Sequence, residues 1–269
     1  MRVFSCVLIV ALAIAEPAGA ETLRAGPSVK IEGGSDNVFA AGADVEISGD
    51  VASTSGKRAM VAAAGGSVTV SADVDGDVAI AGGDVSFSGR TDHLFAAGGN
   101  VAVSGRADDR AAIAGGRITV EPTAIFANDV KIAGASVDFG GQAQKGAKLA
   151  GGFVRLAGAV EGDAELAGES IEVGPQAHVS GDLVIEAPDK PDIPSSAVIG
   201  GEVIYKKTSV HDIEWKRWDH HPFGSPHSVR EGIFGALFGF VVLSASGIVM
   251  MLLFPNWLGA AAAAGRDKP

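Results

Sequence analysis

The sequence predicts an all-β fold, a parallel β-helix (β-solenoid) of about 17 residues per rung, followed by a transmembrane α-helix. Three observations predict the solenoid. An Ala-Gly-Gly-x-Val-x-Val phrase recurs as AGADVEI from Ala41, AGGSVTV from Ala64, AGGDVSF from Ala81 and AGGNVAV from Ala97. It continues as AGGRITV from Ala114, AGASVDF from Ala133, AGGFVRL from Ala150 and AGESIEV from Ala167. The starts are 23, 17, 16, 17, 19, 17 and 17 residues apart, and a fixed period of that size marks repeats that bury their apolar faces only by stacking. Within each repeat, apolar and polar residues alternate with the period of a strand. Finally, 38 glycines at this spacing would break any run of helix.

The elements follow in chain order. Residues 1–20 read as a signal peptide: Arg2, an apolar run from Val3 to Ala15, then Ala18-Gly19-Ala20 before Glu21. The run is too short for a confident membrane span. Its Cys6 is the only cysteine, so the mature chain is expected to form neither disulfides nor thiolate metal sites.

Residues 21–207 form the expected solenoid, with about ten rungs from roughly Ile31 to Lys206. Three apolar sets should stack as inward ladders. The first is Ala40, Ala63, Ile80, Ala96, Ile113, Ile132, Leu149 and Leu166. The second is Val45, Val68, Val85, Val101, Ile118, Val137, Val154 and Ile171, and the third is Ile47, Val70, Phe87, Val103, Val120, Phe139, Leu156 and Val173. Residues between the last two sets (Glu46, Thr69, Ser86, Ala102, Thr119, Asp138, Arg155, Glu172) should face water. Corner glycines are expected to supply sharp bends and positive φ angles. Three short strands with tight corners fit 17 residues, so a triangular coil is expected. The long first interval places Ser53 to Arg58 as a loop bulging from a corner. Pro188, Pro191 and Pro194 weaken the pattern, one rung there is degenerate, and GGEVIY from Gly200 restores one more.

Residues 208–231 read as a juxtamembrane linker and 232–254 as a spanning helix: 23 residues without a charge, flanked by Trp215, Trp218 and Trp257. Residues 255–269 are a short tail. The Gly235/Gly239 pair is a weak helix-association signal, because glycine is common in such spans. Lys216, Arg217 and Arg230 precede the span while Arg266 and Lys268 follow it, too small a difference to outweigh the export signal. The expected location is therefore the cell membrane, with the solenoid on its periplasmic or extracellular side.

Charge and composition exclude several functions. Residues 21–205 carry 13 Lys and Arg against 26 Asp and Glu, net −13. An acidic rod without basic stripes is no nucleic-acid binder. Asp50, Asp77, Asp163 and Asp182 each follow a glycine, and Asp73, Asp75 and Asp77 alternate. Their spacing does not converge several carboxylates per turn, so corner aspartates are expected in place of a calcium site. Asp108-Asp109-Arg110 reads as a surface turn, since a sugar-cleaving groove would need clustered carboxylates and this solenoid has no Trp. His211, His220, His221 and His227, with Asp212 and Asp219, could ligate a metal. Pro222, Gly224 and Pro226 among them argue for a connector without fixed geometry. No Ser-His-Asp, Cys-His or phosphate-loop pattern is present. The sequence thus assigns no catalytic, cofactor-binding or metal site, and no cofactor.

The rung phrasing, best seen in VAIAGGDVSFSGRT from Val78 to Thr91, resembles the bactofilins, the polymer-forming cytoskeletal proteins, over roughly residues 31–206. The resemblance implies a right-handed parallel β-helix that stacks end to end without nucleotide, often at membranes, and carries no catalytic residues. This chain departs from the family in its export signal and spanning helix, and so looks like an exported, membrane-anchored relative. The expected function is a non-enzymatic scaffold that associates with itself through its end rungs. The alternative is a surface module that recognises envelope glycan or a partner protein. A carbohydrate-active enzyme is a third reading, which would need two facing carboxylates about 5–9 Å apart.

Overall fold

A computed structural model of the protein describes residues 21–208, apart from residues 54, 55 and 57. The expected signal peptide, almost all of the linker, the spanning helix, the tail and the four clustered histidines lie outside the described residues. Among those described, no helix is long and apolar enough to cross a membrane.

The described chain is a parallel β-solenoid. β1 (Glu21–Ser35), β2 (Asn37–Ala52) and β3 (Ala59–Val70) precede a short β4 (Asp73–Val74). Long and short strands then alternate: β5 (Gly76–Phe87), β6 (Arg90–Thr91), β7 (His93–Val103), β8 (Arg106–Ala107), β9 (Ala111–Val120) and β10 (Ile125–Phe126). They continue as β11 (Val130–Phe139), β12 (Gln142–Ala143), β13 (Ala147–Leu156), β14 (Ala159–Val160), β15 (Ala164–Val173) and β16 (His178–Val179). The last are β17 (Leu183–Ala187), β18 (Val198–Ile199) and β19 (Val203–Lys207). The long strands pair in the order β1-β2-β3-β5-β7-β9-β11-β13-β15-β17-β19, and short strands from β6 to β18 form a second sheet. Each long strand marks one turn of the coil.

A long strand covers two faces of the coil. In β9 the residues Ala111, Ile113, Ile118 and Val120 are buried, so the inward parity changes across Gly115-Gly116. The strand bends there into two arms, and the short strand supplies the third side, which gives the expected triangular turn. All three expected ladders are buried and in register, for example Val45↔Val68↔Val85↔Val101↔Ile118. The third side adds a fourth ladder: Val51, Val74, Thr91, Ala107, Phe126, Ala143, Val160 and Val179, all buried.

The glycine corners work differently from expectation. Positive φ occurs among described glycines only at Gly33, Gly49, Gly56 and Gly76. The first glycine of each repeat is required by closeness instead. A Cβ on Gly115 would sit 2.7 Å from the carbonyl oxygen of Gly98 in the turn before, because flat stacking at about 4.8 Å leaves the corner no room for a side chain.

Two expectations of phase are corrected. The first turn starts at Glu21 and not near Ile31: AGPSVKI pairs residue for residue with AGADVEI, except at Pro27. At the other end, Gly200-Gly201 does not form the bend between the two arms. Gly200 and Gly201 donate to the carbonyls of Val179 and Gly181, which puts them at the corner before the long strand, and Val203 pairs with Leu183. The degenerate rung is β17, which keeps only its first arm. Residues 188–197 replace the second arm, and Ile193 packs against the core there.

Candidate functional site

A solenoid offers its faces, its corners and its two ends, and each can be read from the stacked columns. On the second arm the outward residues face solvent as expected. Several pair across turns, such as Lys148 with Glu165 on the first arm at 2.8 Å and Arg155 with Asp138 on the second at 3.4 Å. Exposed pairs of this kind contribute about 0–1 kcal/mol each. Ser67, Thr69, Asp84, Ser86, Asn100, Arg117 and their neighbours line a shallow open depression of about 240 Å³ on this arm.

The first arm carries an outward column that the sequence reading did not single out. Leu23, Phe39, Ala62, Ala79, Phe95 and Ala112 stack in register, and Leu23 is 55% exposed. The column turns charged at Lys131, Lys148 and Glu165. Burial, with the positive charge of Lys148 adding to it, lowers the Lys131 pKa. The available signal was the position two residues before each leading Ala.

Corner aspartates are used within the coil. Where the chain turns, a backbone N–H can miss its sheet partner, and a carboxylate accepts it instead. Asp73 accepts from the Arg90 N–H at 2.9 Å, Asp129 from Gly146 at 2.9 Å, Asp163 from Asp182 at 2.9 Å and Asp182 from Glu202 at 2.8 Å. Asp108 and Asp109 are pulled apart by their partners. Asp108 accepts from Arg90 Nε at 2.6 Å and Arg106 Nε at 2.5 Å. Burial pushes its carboxyl up, yet these hydrogen bonds prevail and hold it below the ordinary range. Asp109 meets His93 Nε2 at 2.8 Å and Asn128 at 3.2 Å. Asp77, buried, lies 2.6 Å from His93 Nδ1. Asp75 is not drawn into this set, and among the described residues no group of three His, Cys, Asp or Glu is placed to hold a metal ion.

The ends differ from each other. At the first turn β1 pairs on one side only. Thr22 and Arg24 occupy the inward columns of Val38 and Ala40, and Pro27 removes an N–H from the edge. Inward charge and proline are devices that discourage edge-to-edge pairing. At the last turn Val203 occupies the inward column of Leu183. Leu183 is 0% exposed and Val203 is 41% exposed, with nothing among the described residues stacked over it. Tyr205 beside it donates its hydroxyl to the carbonyls of Ala187 at 3.1 Å and Pro188 at 3.0 Å, which fastens the proline-rich segment. Comparison with protein-family models, with curated proteins and with solved structures finds no match to this chain.

Proposed function

We propose that the chain is a non-enzymatic, membrane-anchored scaffold whose right-handed solenoid associates with itself through an end turn, as its bactofilin-like phrasing implies. The observation that carries this reading is Val203, an inward-column residue left 41% exposed. Inside the stack, such a residue is covered by the next turn; at the end, another copy can cover it. Arg24 and Pro27 make the opposite end less receptive. One receptive end favours dimers or short assemblies over long filaments. Sedimentation and electron microscopy of the detergent-purified protein test this. The expected result is a concentration-dependent species larger than the monomer, which Val203→Arg reduces. A monomeric rod at every concentration would sink the reading.

The second reading is recognition of envelope glycan or a partner protein. The hydroxyl- and amide-lined depression around Thr69, Asn100 and Thr119 favours it, and a glycan pull-down with the purified protein tests it.

A further inference from the structure

One corner holds a cluster that scaffolding does not use. Asp77, His93 and Asp109 belong to the fourth, fifth and sixth turns. The imidazole lies between the two carboxylates, with Nδ1 2.6 Å from Asp77 Oδ1 and Nε2 2.8 Å from Asp109 Oδ2. An ionised carboxylate only accepts hydrogen bonds, so both contacts are good only when both ring nitrogens carry protons. A neutral ring would turn a lone pair toward one carboxylate. The geometry therefore selects the imidazolium.

Other charges surround it. Arg58, from the segment leading into β3, lies 3.4 Å from Nδ1, 4.0 Å from Asp77 and 3.8 Å from Asp92. Asp77 faces the ring from β5, Asp109 from the segment leading into β9, and Asp92 is its chain neighbour. Three carboxylates thus meet two cations when His93 is protonated and one when it is not. Asn128, from the seventh turn, donates to Asp109 at 3.2 Å and holds that carboxylate in place.

We propose that Asp77, His93 and Asp109 form a proton-operated rivet, which ties three consecutive turns together while the ring is charged and releases one carboxylate when it becomes neutral. The hydrogen bond to Asp77 raises the His93 pKa, half-burial opposes it, and Asp109 adds to the rise. The direction of the effect follows. A raised folded pKa gives a stabilisation fully present below the unfolded value of about 6.5 and lost as pH climbs through the folded value. In a compartment whose pH follows the surroundings, the middle of the rod would loosen on the alkaline side.

The test uses the full-length protein in detergent. NMR titration of the His93 ring should give a midpoint above that of an unperturbed histidine. Thermal midpoints of wild type and His93→Gln should differ most near pH 6, by about 2–4 °C, and converge toward pH 9. Asp109→Asn keeps an acceptor beside Nε2 without the charge, so it should lower the His93 midpoint even if His93→Gln folds poorly. Parallel pH profiles for wild type and His93→Gln, or a His93 midpoint at or below about 6.5, would overturn the proposal.

Discussion

At the scale of single residues, position within a turn decides the effect of a substitution more than residue type does. The first glycine of the repeat is Gly in nine successive turns, from Gly26 to Gly168, whereas its neighbour is Pro27, Ala43, Ala135 or Glu169 in four of them. A Cβ on Gly115 would meet both the Gly98 carbonyl at 2.7 Å and Val101 Cγ2 at 3.1 Å. One on Gly116 would meet the Gly99 carbonyl at 2.8 Å with its next neighbour only at 3.7 Å. Gly115→Ala should therefore destabilise by about 1–3 kcal/mol, and Gly116→Ala by clearly less, as read from denaturation midpoints. Equal losses would mean that the corner yields equally at both sites. The two phenylalanines give a second contrast. Phe139 is fully buried and stacks on Phe126 with ring centroids 6.1 Å apart, so Phe139→Ala should cost about 3–5 kcal/mol. Phe153 is 37% exposed on the outer surface, and Phe153→Ala should stay within about 1 kcal/mol.

At the scale of elements, the interesting unit is the insertion between β2 and β3. In the next turn one residue, Asp75, separates inward Val74 from Gly76, which pairs with Ala59. Removing Ser53–Arg58 leaves one residue, Ala52, between inward Val51 and Ala59, and restores a 17-residue step. The shortened protein should keep its β circular dichroism and its thermal midpoint within about 2–4 °C; unfolding would show that the insertion is structural. Such reasoning works because turn lengths and inward ladders were legible in the sequence: alternation around the Ala-Gly-Gly phrase specifies which side chains stack. What escaped has identifiable causes. The first repeat was hidden because Pro27 replaces the second glycine and polar Thr22 and Arg24 occupy its inward positions. The phase of GGEVIY was misread because glycine pairs mark two different corners, and only backbone pairing tells them apart. The His93 cluster was missed although Asp77, His93 and Asp109 are each 16 residues apart, one short turn. Residues become neighbours at that spacing only once the local turn is known to have that length. The corner role expected for the aspartates followed from their spacing alone, and their carboxylates do accept backbone N–H groups at the corners.

At the scale of the whole solenoid, stacking is nearest-neighbour, about 50 Å from first turn to last at the inter-strand spacing, and charge should govern how copies meet. Residues 21–205 carry net −13, so two rods approaching in any orientation repel over roughly a Debye length, about 30 Å at 0.01 M salt and about 8 Å at 0.15 M. The attraction at the last turn is short-ranged: it is the burial of Val203 and its half-buried neighbours Ile199 and Tyr205. Apolar burial of this kind is little affected by moderate salt, whereas the repulsion is screened by it. Lys206 and Lys207 also make the last turn less acidic than the body, although Lys206 is engaged with Glu186 at 3.2 Å. Self-association should therefore strengthen as sodium chloride rises from about 0.01 M to 0.3 M, where the screening length falls below the width of a turn. Sedimentation velocity at fixed protein concentration reads this as growth of the larger species, and Val203→Arg should flatten the response. An assembly that instead dissolves with added salt would be held by ion pairs between oppositely charged columns, and would move the contact from the end of the rod to its sides.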